Sequence, residues 1–299
     1  MKLHHLRNLV AVADATSIRG AARAQGLAQP AITRGLRDLE KELGVPLLER
    51  HGKGVSLTLY GQSFVIRARA MLHDMERGRQ EIEQLKGKGT GKVSAGLSSA
   101  VFLSLVPWVY KAFRKTYPDA LLSLTEGLFP ALEPLLKDGN LDFYVGPRPL
   151  GELDKNYELQ LLFRNTRVVV CRQGHPLAQA HSLRELMGAD WIMTGLSQPI
   201  EIEFEAQFSV HALPAPKSVT QMLTTLPLVA LLSETDALAF LPQQWVSSKI
   251  FKNTLQSIPV QEALDGPDIV LIKRSALPLT PLADRLATLF ERASGKPML

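Results

Sequence analysis

The chain has 299 residues, 45% of them hydrophobic and 21% charged, which allows two or more domains with separate cores and excludes a disordered chain. Its net charge is +5, and the first 59 residues hold nine Lys/Arg against five acids, a local surplus that favours a polyanionic partner. One cysteine, Cys171, rules out an intrachain disulfide; with no run of about eighteen apolar residues and no signal-peptide pattern, the expectation is a cytoplasmic protein without a membrane partner.

The first predicted element is a helix with Leu3, Leu6, Leu9, Val10 and Ala13 on one stripe. Ser17 stands at an N-cap ahead of Ile18, Ala21 and Ala22, and the small residues Gly20, Ala21, Ala22 and Ala24 let this second helix approach a neighbour closely. Gly26 suits a left-handed cap that turns the chain. Ala28, Gln29 and Pro30 start a third helix, with proline tolerated in the first turn. Ile32, Leu36, Leu39 and Leu43 form its buried stripe, Thr33, Arg34, Arg37 and Lys41 lie on other faces, and Gly44 ends it. Two short helices joined by a tight turn, the second presenting polar and basic side chains, form the pattern that enters a DNA major groove. Residues 47–50 and 55–57, around a Gly52, Lys53, Gly54 tip, read as a basic two-stranded wing.

Residues 58–86 contain no proline, and Phe64, Ala68, Met71, Met75, Gly78, Ile82 and Leu85 recur in steps of four and three. That is coiled-coil spacing and predicts a dimerising helix; the alternative is a helix lying on its own domain's surface. Residues 87–91, rich in glycine, read as a hinge.

Beyond the hinge, strand and helix patterns alternate. Strands are predicted over residues 92–97, 121–125 and 141–145, with helices over 102–117 and 131–137. A second set covers 167–171, a helix near Leu183, then 191–194, 202–210, a helix over 222–232, and 237–241; residues 268–273 form another strand and 281–293 a closing helix. This order predicts parallel sheets with helices on their faces, in two lobes with a cleft between them.

On these residues the chain resembles the LysR-type transcriptional regulators. The resemblance rests on Ala21-Ala22-Arg23-Ala24-Gln25-Gly26-Leu27-Ala28-Gln29-Pro30-Ala31-Ile32-Thr33-Arg34, on Leu36-Arg37-Asp38-Leu39-Glu40, on Leu43-Gly44-Val45-Pro46-Leu47-Leu48-Glu49-Arg50 and on Leu57-Thr58-Leu59-Tyr60-Gly61. Ala28 replaces the family's usual serine and Leu48 its usual phenylalanine. The family implies an N-terminal all-α winged helix-turn-helix (1–58), a long linker helix (59–86), a hinge (87–91) and a C-terminal α/β effector domain (92–299) with two lobes like those of periplasmic binding proteins. Lobe I is expected over about 92–147 and 268–299, and lobe II over about 148–267.

The resemblance implies DNA-binding roles for Ala28, Gln29, Pro30, Thr33, Arg34, Arg37, Arg50 and Lys53. Gln29 can meet an adenine edge or a phosphate, Thr33 a thymine methyl or a phosphate, and Arg34 a guanine edge or a phosphate. It places the effector cleft at Ser98, Ser99, Gly127, Phe129, Arg148, Thr194, Gly195 and Thr220, with Arg148 able to pair with an anion and Glu126 leaving room for a polar or cationic effector. No cofactor is implied beyond this small organic effector, expected as an organic acid or aromatic compound. The implied partners are double-stranded DNA and further copies of the chain, a dimer through residues 60–86 and a homotetramer, with RNA polymerase as a further contact.

Enzyme readings are weaker. Cys171 ends an apolar strand and has no orienting third group for thiol catalysis with His175. His4 and His5, or His175 and His181, lack acids at metal-site spacing. Glu201, Glu203 and Glu205 alternate as one solvated face would, and no phosphate-loop or dinucleotide motif occurs. An effector-independent DNA-binding protein is the main rival, followed by a cleft enzyme with an attached DNA-binding domain.

Overall fold

A computed structural model describes residues 1–52, 54–87, 89–193, 200–222 and 224–295, except the side chains of Arg50 and Ile200. The chain divides into two compact units, with the break near residue 88.

The first unit contains α1 (Leu3–Ala15), α2 (Ile18–Gln25), α3 (Gln29–Leu43), β1 (Leu48–His51), β2 (Gly54–Leu57) and α4 (Leu59–Leu85). The Ser17 hydroxyl caps α2 by accepting the Gly20 N–H at 3.2 Å, and Gly26 turns the chain at φ 65°. Leu6, Leu9, Val12, Ala21, Ile32, Leu36, Leu39 and Leu47 form one core with Val65 and Ala68 of α4. Leu3 and Leu43, expected in the buried stripes, are exposed, whereas His5 and Asn8 are buried against α3. The Glu40 carboxylate accepts the N–H groups of Leu47 (2.8 Å) and Leu48 (3.2 Å), tying α3 to the wing. Thr58 starts α4 by accepting the Gly61 N–H and donating to the Pro46 carbonyl.

The second unit starts with β3 (Lys92–Leu97), α5 (Ser99–Ser104), α6 (Val106–Thr116), β4 (Leu121–Glu126), α7 (Phe129–Lys137) and β5 (Phe143–Pro147). The one helix expected over 102–117 is two, because Pro107 cannot supply the N–H that would continue α5 and instead opens α6. Next come β6 (Tyr157–Arg172), a 3-10 turn (Leu183–Leu186), β7 (Trp191–Met193), α8 (Ile200–Ser209), β8 (Val219–Gln221), α9 (Thr225–Glu234), β9 (Leu238–Pro242), α10 (Gln244–Ser247), β10 (Leu255–Ile258), β11 (Asp265–Arg274) and α11 (Pro281–Ser294).

Strand order is β4-β3-β5-β11-β6-β9-β7-β8, with β10 on the far part of β6. The sheets are mixed, not wholly parallel: β3, β4 and β5 are parallel, as are β7, β8 and β9, while β11 and β6 run antiparallel to their neighbours. The first part of β6 pairs with β11 in the first lobe, and residues 167–172 pair with β9 and β10 in the second. Residues 157–163 therefore run in the first lobe's sheet, beyond the expected boundary at 147–148. Tyr157 packs edge-on against Phe129 of that lobe. Residues 202–209, read as strand, fall within the helix α8, which turns Glu203 inward and leaves Glu201 and Glu205 outside.

Candidate DNA interface and effector cavity

In the first unit, Gln29, Pro30, Thr33, Arg34, Arg37 and Asp38 line one shallow depression along α3. Ala28 is the N-cap of α3 and makes no side-chain cap, as expected where a hydroxyl is missing. The Ile32 stripe holds α3 in the core, so Ala28, Gln29, Pro30, Arg34 and Arg37 face solvent. Thr33 is half-buried and its hydroxyl donates to the Gln29 carbonyl at 3.0 Å, leaving its methyl group and oxygen lone pair for a partner. Among the described residues neither Arg34 nor Arg37 has an ion-pair partner; Glu40 is engaged by wing backbone instead. Arg50 lies on β1 opposite Val55, with its side chain outside the described set, and Lys53 is outside it altogether.

In α4 the heptad seam divides. Phe64 and Ala68 pack into the core of the first unit, while Met71, Met75, Ile82 and Leu85 are exposed, the last two at 54% and 68%.

In the second unit, a cavity of about 220 Å³ lies between the lobes. Ser98, Ser99, Glu126, Gly127, Leu128 and Pro147 line it from lobe I; Met222, Thr224, Thr225, Leu228, Phe240, Leu241, Pro242 and Trp245 line it from lobe II. Asn165 and Arg167, two apart on β6 and so on one face of it, complete the wall with Pro267. Gly266 pairs with Asn165, and its missing side chain leaves room there: a Cβ would stand 3.2 Å from Asn165 Nδ2 and 3.4 Å from Arg167 Cγ. The Thr225 hydroxyl donates to the Glu126 carboxylate, a bond from one lobe to the other. Arg167 forms an ion pair with Glu203, each side chain only 11% exposed. Ser98 Oγ, Asn165 Nδ2 and Trp245 Nε1 are buried without a hydrogen-bond partner among the described residues, an unusual density of unmet polar atoms around one cavity.

Ser98, Ser99 and Gly127 of the expected cleft residues are thus brought together. Phe129 is not: it is 5% exposed and turned into the core against Tyr144 and Tyr157. Arg148 is exposed and outside the lining, its N–H bonded to the Asp268 carbonyl at 2.8 Å, because the chain leaves the strand end there towards solvent. Thr220 is exposed on β8 and also outside the lining. Thr194 and Gly195 lie outside the described residues. Asn165 and Arg167 were missed; the signal was two polar residues at strand spacing just before the apolar run 168–171.

The thiol and imidazole weighed for catalysis are structural. Burial pushes the Cys171 thiol up to about 11, away from the nucleophilic thiolate. Both His175 ring nitrogens are engaged, Nε2 with the Asp236 carbonyl at 3.0 Å and Nδ1 with the Leu177 N–H at 3.0 Å. Among the described residues no group of three or more His, Cys, Asp or Glu is placed to hold a metal ion, and no helix is long and apolar enough to cross a membrane.

Residues 3–62 match the model of the bacterial regulatory helix-turn-helix protein, lysR family, and residues 86–294 match that of the LysR substrate binding domain. The chain belongs to the LysR family of DNA-binding transcriptional regulators. It is 29% identical over 240 residues to the HTH-type transcriptional regulator GbpR of Azospirillum brasilense (79% of this chain, 70% of the relative). It is 28% identical over 290 residues to the SDS degradation transcriptional activation protein of a Pseudomonas species (95% and 94%). In fold it is similar to the crystal structure of CbnR, a LysR family transcriptional regulator (TM-score 0.72, 20% identity, 99% of this chain and 100% of that one). The same holds for CbnR complexed with its target DNA (TM-score 0.71, 20% identity, 98% and 100%). These relatives are transcriptional regulators, not enzymes.

Proposed function

We propose that operator binding by this chain responds to a small organic molecule held in the cavity of the second unit. The observation that carries the reading is the Thr225–Glu126 hydrogen bond, which joins the two lobes beside a mostly apolar cavity. A molecule filling that space binds one lobe arrangement better than another, and only such differential affinity shifts an equilibrium. An organic acid and an aromatic compound are the two effector classes expected; Leu128, Met222, Leu228, Phe240 and Trp245 favour an aromatic or similarly apolar body.

On the DNA side, Gln29, Thr33 and Arg34 read or clamp the major groove, Arg37 reaches the flank, Ala28 and Pro30 bring the helix start to a phosphate, and Arg50 and Lys53 serve the wing. The exposed seam of α4 supports a dimer through residues 60–86, and pairs of dimers make a homotetramer in the cytoplasm. A paired reader calls for an interrupted inverted repeat. RNA polymerase is the partner through which such a complex acts on transcription.

The test is a thermal-shift screen of small organic acids and aromatics, followed by operator footprinting with each stabilising compound. The expected result is a footprint that changes in extent or spacing. A footprint indifferent to every stabilising compound favours an effector-independent DNA-binding protein, and turnover of the compound favours an enzyme.

A further inference from the structure

The charges in the cavity wall do not suit an acid. Arg167 is the one cation among the described lining residues, and Glu203 already neutralises it in a pair sheltered from solvent. The stretch 194–199 and residue 223 contain no Lys, Arg or His that could add positive charge. An anion entering this space would find N–H donors at Asn165 and Trp245 but no free counter-ion, and a buried charge without one is costly. Glu126, by contrast, is exposed at the end of β4 and has no cation bound to it: its Oε1 accepts from Thr225 and its Oε2 has no partner among the described residues. Leu128, Met222, Leu228, Phe240 and Trp245 line the same cavity. One open carboxylate beside an apolar and aromatic pocket is the arrangement that holds an amine with a hydrophobic body, by ion pairing at one end and burial at the other.

We propose that the effector is a small organic cation, an amine whose ammonium group pairs with Glu126 while its apolar body fills the pocket around Leu228 and Phe240. This rests on the cavity being the effector site, and names the charge of what it takes. The ammonium group pairs with the open Oε2, beside the oxygen that holds Thr225, so binding acts on the carboxylate that joins the lobes.

Three probes with one skeleton separate charge from shape: 2-phenylethylamine, phenylacetamide and phenylacetate. Their binding to the full-length protein is measured by calorimetry at low salt, with Glu126→Gln and Met222→Trp alongside. Glu126 is exposed and Met222 half-buried, so both variants keep their fold, which circular dichroism checks. The expected order is amine, then amide, then carboxylate, with about tenfold between the first and last. Glu126→Gln is expected to remove the preference for the amine, and Met222→Trp to weaken all three probes. Tightest binding by phenylacetate, or an order unchanged by Glu126→Gln, overturns the cationic assignment and leaves the cavity standing provided Met222→Trp still blocks binding. No binding of any probe, or binding untouched by Met222→Trp, overturns the cavity reading and the assignment with it.

Discussion

The Asn8 amide of α1 lies directly beneath Gly35 of α3: a Cβ at that position would stand 2.4 Å from Asn8 Nδ2. α3 therefore sits at a distance from α1 that only glycine permits. Gly35→Ala is expected to destabilise the first unit by about 1–3 kcal/mol through overpacking and to weaken operator binding with it. Adding Asn8→Ala to the same chain restores the space, so a double-mutant cycle by thermal melting should return a favourable coupling. Additive losses would show that the contact does not set the helix position.

Arg34 is exposed and has no ion-pair partner among the described residues, so Arg34→Ala is expected to fold as the parent does. Operator affinity is expected to fall by about 1–3 kcal/mol if the guanidinium reads a base. If it holds a phosphate instead, the slope of affinity against salt falls by about one. An operator titration at several salt concentrations separates the two, and an unchanged affinity with an unchanged slope removes Arg34 from the interface.

Two serines at helix starts are expected to behave oppositely. Ser17 Oγ accepts a backbone N–H and caps α2, so Ser17→Ala costs about 1 kcal/mol. Ser98 Oγ is buried with no partner, so Ser98→Ala removes an unmet polar atom and leaves stability within about 0.5 kcal/mol of the parent or above it. Urea unfolding of both variants tests the contrast; a large loss at Ser98 would mean its hydroxyl has a partner in solution.

Burial, with His4 as a second contributor, holds the His5 imidazole below its ordinary value of 6.5. The unfolded chain then takes up a proton at a higher pH than the folded one. The contribution of neutral His5 to stability is complete above about pH 6.5 and is lost as the pH falls from there through the folded value. A melting series from pH 8 to about 5 should show this loss in the parent and a flatter profile in His5→Phe. Identical slopes would place the acid sensitivity elsewhere.

Arg167→Leu leaves Glu203 as a sheltered carboxylate without its cation, and is expected to cost about 2–3 kcal/mol. Replacing both residues, Arg167→Leu with Glu203→Leu, removes the sheltered charge as well and should recover much of that loss. Denaturant midpoints of the single and double variants decide it.

The first unit was largely legible in the sequence because its signals are local. Ser17, Gly26, Pro30 and Gly44 cap or turn short helices where they stand, and the heptad spacing of α4 needs only its own residues. His5 and Asn8 were not, since their burial depends on how closely Gly35 lets α3 approach. In the second unit much of the order was readable, but the alternating Glu201, Glu203 and Glu205 read as a strand where the chain forms α8, and β8 and β10 are three and four residues long and carry little pattern of their own. The cavity was half visible: Ser98, Ser99 and Gly127 sit at strand-to-helix junctions that element order locates. Asn165 and Arg167 reach it from a strand whose length and pairing partners are fixed by residues about 100 positions away on β11. Phe129 and Arg148 sit near the same junctions, yet which way a side chain turns there is decided by Tyr144 and Tyr157 in one case and by solvent in the other.

The sixteen residues of β6 form one unbroken strand that belongs to both lobes. Beside its crossing, the register of β11 slips around Gly266 and Ile269, so the ladder there is less regular than on either side. The lobes are thus coupled like two blades on a torsion bar: a change at Asn165 or Arg167 is a twist of backbone that each sheet must follow. Any rotation of one lobe against the other must therefore pass through β6, and its backbone ladder with β11 is the part of the domain such a rotation would strain.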